Sequence, residues 1–201
     1  MKTLEDTSRL IDTTVSAINF CFSDRKDIFF TTSFGYQSAL LFALISEAGL
    51  PLNCISVQSQ LSYGDIEKHR DILVNKFNVN LTEVNRDQWL AKSLNKKDFM
   101  TLNEGSRKQI CRDLKREPVM KFIKENNFGL WITGIRREQT LTRRELRFID
   151  VTDMGVVKIA PMAIWTDDDV NRALDVFNLP SNEKYIDLCK ETTSRECGLH
   201  F

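Results

Sequence analysis

Three groups of residues in this chain have the types and spacing to do chemistry. The first is Arg195-Glu196-Cys197-Gly198-Leu199-His200, which nearly ends the sequence. A thiol beside a flexible glycine can reach into a site, and Arg195 and His200 can favour the thiolate, the nucleophilic form. The same segment also reads as a tail cysteine with no role. The second group is Arg136, Arg137, Arg143 and Arg144, four arginines within nine residues. Planar guanidinium groups can clamp phosphate or sulfate oxygens through paired N–H bonds. It reads equally as a solvated charge run balanced by Glu138 and Glu145. The third is Thr32-Ser33-Phe34-Gly35-Tyr36-Gln37-Ser38, between an apolar strand and an apolar helix. A helix start offers backbone N–H groups to an anion, Gly35 offers backbone freedom, and Ser33 and Ser38 add hydroxyls. An ordinary strand-to-helix turn with a serine cap fits that segment as well. It matches neither the Walker nor the Rossmann glycine fingerprint.

These groups need elements to position them. Leu10, Ile11, Val15, Ile18 and Phe22 recur at helical spacing and predict an amphipathic first helix over Leu4–Phe22. Asp27–Thr32 reads as a short buried strand and Ser38–Glu47 as an apolar helix. A strand over Cys54–Val57, a helix over Asp65–Phe77 and a strand over Asn80–Val84 follow. After a polar stretch come a helix from about Pro118 to Asn126 and a strand over Leu130–Gly134. Two β segments near Arg147–Val151 and Val156–Ile159 flank Asp153-Met154-Gly155, a hairpin turn. Thr166-Asp167-Asp168-Asp169 is a helix start, with a threonine cap and acids in the first turn. Alternating strands and helices predict an α/β fold, a doubly wound and largely parallel sheet with helices on both faces. In such a sheet ligands bind beyond the carboxyl ends of strands, where the Ser33 loop and the arginine run both fall. Residues 1–180 form one domain on this reading, and 181–201 an irregular C-terminal tail.

Composition narrows the function classes. Lys+Arg and Asp+Glu both number 28, without the basic excess of a nucleic-acid wrapper. The longest strongly apolar run, Ala39–Ile45, is too short to span a bilayer. The N-terminus turns acidic at once, and the five cysteines are odd in number and irregularly spaced. These features predict a cytoplasmic, thiol-reduced protein with no nucleic-acid or membrane partner. Cys21 and Cys54 fall in apolar stretches and read as small core residues.

Taken in order, the segments resemble the phosphoadenylyl-sulfate/adenylyl-sulfate reductase family. Thr32 to Ala39 looks like that family's modified PP-loop, a Rossmann-like relative of the ATP pyrophosphatase loop. Trp131-Ile132-Thr133-Gly134-Ile135-Arg136-Arg137-Glu138-Gln139-Thr140 with Arg143 is similar to its arginine-pair signature. Lys158-Ile159-Ala160-Pro161-Met162 with Trp165-Thr166 and Asp168-Asp169-Val170 resembles the next block. Glu196-Cys197-Gly198-Leu199-His200 resembles the catalytic tail. The resemblance implies that Cys197 attacks the sulfonate sulfur of an adenylyl-sulfonate nucleotide. Reduced thioredoxin or glutaredoxin would then release sulfite. It implies that Ser33, Phe34, Gly35, Gln37, Ser38, Arg136, Arg137, Gln139, Arg143 and His200 bind substrate. Homodimers are common in the family.

The departures sharpen this. The cluster-bearing branch has paired cysteines and a later Cys-x-x-Cys, whereas here Ile110 precedes Cys111 and Cys189 has no partner three residues away. No iron–sulfur cluster or metal is therefore expected. The 3′-phosphorylated substrate is favoured, and adenylyl sulfate is the alternative. Gln58–Asp65 replaces the Asp-Thr-Gly type loop of the family, and Cys197 follows Asp187 within ten residues. A divergent PP-loop nucleotide binder without turnover is the rival reading. An ATP-splitting enzyme fits less well, since Phe34 and Gln37 stand where Gly and Asp are typical. A zinc site from Cys189, Cys197, His200 and His69 would need a coincidence of folding.

Overall fold

The computed structural model describes residues 3–22, 25–57, 62–84, 96–139 and 141–188. Its centre is a six-stranded sheet made of β1 (Ile28–Thr32), β2 (Asn53–Val57), β4 (Asn80–Val84), β5 (Leu130–Thr133), β6 (Ile149–Val151) and β7 (Val157–Ile159). The spatial order is β4-β2-β1-β5-β7-β6. Every pairing is parallel except β6 with β7, which is antiparallel. That exception is the predicted hairpin, turned at Gly155 with a φ of 77°. The order reverses beside β1, so the loops after β1 and β5 diverge and open a crevice at their carboxyl ends.

Alternation along the strands fixes what each face covers. Ile28, Phe30, Leu130, Ile132 and Cys54 join the larger core. Over them lie α1 (Leu4–Phe22), α2 (Ser38–Glu47), α3 (Ile66–Phe77) and α7 (Asp167–Val176). Phe29, Ile55 and Trp131 point to the opposite face, under Val119 and Ile123 of α6 (Glu117–Glu125). The Phe29 and Trp131 rings stack at 5.8 Å. Each such fully buried side chain contributes about 1.5–3 kcal/mol. α2 is apolar all round because it is buried all round, from Ala39 to Ile45. α7 begins with a capping box: Thr166 Oγ1 accepts the Asp169 N–H, and the Thr166 N–H donates to Asp169 Oδ2.

Two regions read as irregular from the sequence carry structure. The polar stretch before Pro118 contains α4 (Lys96–Thr101), α5 (Glu104–Cys111) and a π-helical turn, Arg112–Arg116. These helices bury only Phe99 and Leu114 as a small cluster, too few positions for a readable period. The start of the tail contains β8 (Ile186–Asp187), paired antiparallel with β3 (Ser62–Tyr63). Among the described residues no helix is long and apolar enough to cross a membrane. Cys21 and Cys54 are free thiols, whereas Cys111 is disulfide-bonded, a departure from the all-thiol expectation. Cys111 packs in the cluster that receives Leu188, a proximity across the chain that spacing alone does not reveal.

Candidate functional site

The loop from Ser33 to Gln37 leaves the carboxyl end of β1 and enters α2. Its unusual residue is Phe34, with φ at 50°, a left-handed conformation costing a side-chain-bearing residue about 1–2 kcal/mol. The surroundings over-determine it. The ring is fully buried, 5.9 Å from Phe42, and the Phe34 N–H donates to Thr32 Oγ1 at 3.0 Å. Gly35, expected to supply the special backbone conformation, does not have positive φ. It serves by its missing side chain: a Cβ there would lie 3.2 Å from Tyr185 Cε1 and 3.3 Å from Ser33 Oγ.

Ser38 opens α2, and its hydroxyl donates to the Gly35 carbonyl at 2.9 Å. The same oxygen lies 3.3 Å from Nε2 of His69 on α3. His69 is buried, and burial pushes its pKa below the ordinary histidine value. Gln37 holds the N-cap position of α2 without a side-chain cap bond. Its amide turns to the arginine segment instead.

Arg136 follows β5 and is almost wholly buried. Its guanidinium donates to Asp167 Oδ1 at 2.5 Å, to Gln37 Oε1 at 2.6 Å and to the Trp165 carbonyl at 3.0 Å. A buried cation requires such partners. Burial would raise the Asp167 carboxyl pKa, but the Arg136 hydrogen bond and charge, with Gln37, outweigh it and hold the value low. Arg136 thereby crosslinks the loop, the β5 end and the start of α7. Glu138 adds to that junction by accepting the Asp167 N–H at 2.6 Å.

Gln139 Oε1 accepts from both the Arg136 N–H and the Arg143 guanidinium. Arg143 is buried, and its charge helps lower the Lys158 pKa behind the larger effect of burial and against the pull of Asp150. Lys158 lies 5.7 Å from the Trp131 ring centre. Two buried cations thus share this corner with the Asp150 carboxylate. Arg137 turns outward: its Nε donates to the Leu146 carbonyl at 2.8 Å. It lines an open cleft of about 610 Å³ with Arg144, Leu141, Ile164, Trp165 and Thr166.

The structure thus brings Ser33, Phe34, Gly35, Gln37, Ser38, Arg136, Gln139 and Arg143 to the carboxyl ends of β1 and β5, with Arg137 on the outer side. Cys197, His200, Cys189 and residues 58–61 lie outside the described residues. The sequence reading missed Asn182 and Tyr185, which pack on the loop, and Lys115 with Asp187 behind them. Their segment has no period, and nothing local marks a contact 148 residues away in sequence. Among the described residues no cluster of three or more His, Cys, Asp or Glu is arranged to hold a metal.

Comparison with known proteins bears on the family and on the fold. The model of the phosphoadenosine phosphosulfate reductase domain family matches residues 27–189. A phosphoadenosine 5′-phosphosulfate reductase of Vibrio parahaemolyticus is 27% identical over 195 residues, covering 85% of this chain and 74% of its own. One from Photobacterium profundum is 26% identical over 193 residues, covering 84% and 76%. The crystal structure of phosphoadenylyl-sulfate reductase from Candida auris, a phosphate complex, superposes with a TM-score of 0.67 at 18% identity, covering 91% of both chains. FMN adenylyltransferase of Candida glabrata, with FMN and an ATP analogue, gives 0.66 at 18% identity, covering 89% of this chain and 60% of that one. At these identities the structural likenesses establish the fold alone.

Proposed function

The chain belongs to the phosphoadenosine phosphosulfate reductase family, and from that premise we propose that it reduces 3′-phosphoadenylyl sulfate to sulfite and adenosine 3′,5′-bisphosphate. The observation that carries this is the meeting of the Phe34–Ser38 loop with Arg136, Gln139 and Arg143 at one crevice. The family match runs through all of them. The loop and helix start suit the nucleotide's phosphates, and the Arg143–Lys158 corner supplies further positive charge.

In the proposed reaction the Cys197 thiolate attacks the sulfonate sulfur. An S–S bond forms, the sulfur–oxygen bond to the phosphate breaks, and adenosine 3′,5′-bisphosphate leaves with the oxygen. Cationic donors stabilise the charge growing on that oxygen. A thiolate of reduced thioredoxin or glutaredoxin then attacks the Cys197 sulfur and expels sulfite. Its second thiol resolves the mixed disulfide, so the donor loses two electrons and Cys197 returns as a thiol. Cys21 and Cys54 are unsuited to the role, because burial raises the pKa of both.

A four-thiolate iron–sulfur cluster does not fit these residues. Of five cysteines, Cys21 of α1 packs against the main core and Cys54 of β2 lies within it, which leaves three. Cys111, moreover, is disulfide-bonded and follows an isoleucine. The reading therefore takes dithiol donors and no resident metal. A sulfite assay with reduced thioredoxin, run on the 3′-phosphorylated and unphosphorylated substrates, tests it. Sulfite from the former supports the proposal, sulfite from adenylyl sulfate alone would reassign the substrate, and none from either would overturn it.

A further inference from the structure

The strained residue of the loop is held from outside the loop. Asn182 is buried, and its Nδ2 donates to the Phe34 carbonyl at 3.1 Å while its backbone N–H donates to the Tyr36 carbonyl at 3.3 Å. One residue thus grips the two carbonyls that flank Gly35. In a planar trans peptide the C=O and the following N–H point in opposite directions. Drawing the Phe34 and Tyr36 carbonyls toward Asn182 therefore aims the N–H groups of Gly35 and Gln37 to the other side.

The grip is itself fastened. Tyr185 is fully buried, its N–H donates to the Asn182 carbonyl at 3.2 Å, and its ring packs against Gly35, 3.2 Å from where a Cβ would stand. The Tyr185 hydroxyl donates to Asp187 Oδ2 at 3.3 Å, and Asp187 takes the Lys115 ammonium on its other oxygen. Gly64, with φ at 109°, lets the segment pass, since a Cβ there would come within 2.4 Å of the Lys184 carbonyl.

We infer that Asn182 and Tyr185 are positioning residues of the anion-binding loop, holding the peptides around Gly35 so that their N–H groups receive a phosphate of the nucleotide. This rests on the proposed nucleotide reading and deepens it. Neither residue touches substrate; both act through Phe34, Gly35 and Tyr36. A carboxamide replaced by a methyl would leave the Phe34 carbonyl buried without its donor and free the peptide to turn.

The test is isothermal titration with adenosine 3′,5′-bisphosphate, paired with thermal unfolding, on wild type, Asn182→Ala, Asn182→Asp and Lys184→Ala. Asn182→Asp keeps the shape but offers no donor to the carbonyl. Both Asn182 variants are expected to raise Kd at least tenfold below their Tm, and in the sulfite assay to raise KM with kcat within threefold of wild type. Lys184→Ala cuts an exposed ion pair to Asp65 in the same segment and should leave Kd within twofold. Asn182 variants that lower Tm yet keep Kd within twofold would overturn the inference and leave the nucleotide reading standing. A wild-type chain that binds no bisphosphate would overturn both. If the Asn182 variants fail to fold, Tyr185→Leu takes the ring off Gly35 with Asn182 in place. A tenfold rise in Kd there supports the inference, and unchanged binding overturns it.

Discussion

Lys115, in the π-helical turn, donates to Asp187 of β8 at 2.5 Å, and both side chains are buried. The pair joins residues 72 apart in sequence and ties the last described strand to the helical layer beside Phe99 and Leu114. π-Turns recur at functional sites, and this one aims a lysine inward where a regular helix would direct it differently.

Removing one partner should be far worse than removing both. Asp187→Ala strands a buried ammonium and is expected to cost about 3–5 kcal/mol. Lys115→Met with Asp187→Leu removes both charges and should cost much less, since apolar replacements of buried pairs are often neutral or stabilising. Urea unfolding of the single and double variants measures the difference. Equal losses in both would show that packing, not charge, holds the junction.

The helices and strands of the main sheet were legible in the sequence because their apolar runs are bounded by polar and turn residues: α2 and β4 have the predicted bounds. The crevice was legible because Ser38 and Arg136 each follow a readable strand. What escaped is long-range. Asn182 and Tyr185 sit in a segment whose only regular pairing is a two-residue strand. The partner choice of Arg136 was equally hidden. A run of arginines does not announce that one of them will be neutralised by Asp167, which reads locally as a helix-start acid.

His69 gives the protein a pH-dependent term. Its folded pKa is lowered by burial, so the unfolded chain takes up the proton more readily. The stability it contributes is present above the unfolded value, near the ordinary 6.5, and is lost as pH falls through the folded one. His69→Gln should flatten the fall in urea midpoint between about pH 7 and 5. An unchanged slope would assign that fall to other groups.

Cys197→Ser should abolish sulfite formation while leaving bisphosphate binding near normal, because a hydroxyl is a poor nucleophile toward sulfonate sulfur. Mass spectrometry of wild type mixed with substrate, without thioredoxin, should find a sulfonate adduct on Cys197. An adduct on another cysteine, with none on Cys197, would reassign the nucleophile.

Three of the four arginines of the run should separate by their surroundings. Arg136→Ala removes the partner of Asp167 and of the Gln37 amide, so it is expected to lower stability and loosen the loop together. Arg143, buried beside Lys158, carries the simpler prediction: Arg143→Ala weakens bisphosphate binding by roughly 1.5–3 kcal/mol, the scale of a hydrogen bond to a charged group. That is on the order of ten- to a hundredfold in Kd. Arg143→Lys should recover only part, because an ammonium lacks the planar paired donors. Arg137 is exposed on the outer cleft, and its replacement should change stability by less than about 0.5 kcal/mol. Titration of each variant with adenosine 3′,5′-bisphosphate and with AMP decides what each arginine holds. A loss confined to the bisphosphate marks the 3′-phosphate contact, and a loss common to both marks the 5′ side. Unchanged binding in all three variants would place the nucleotide elsewhere than the crevice between β1 and β5.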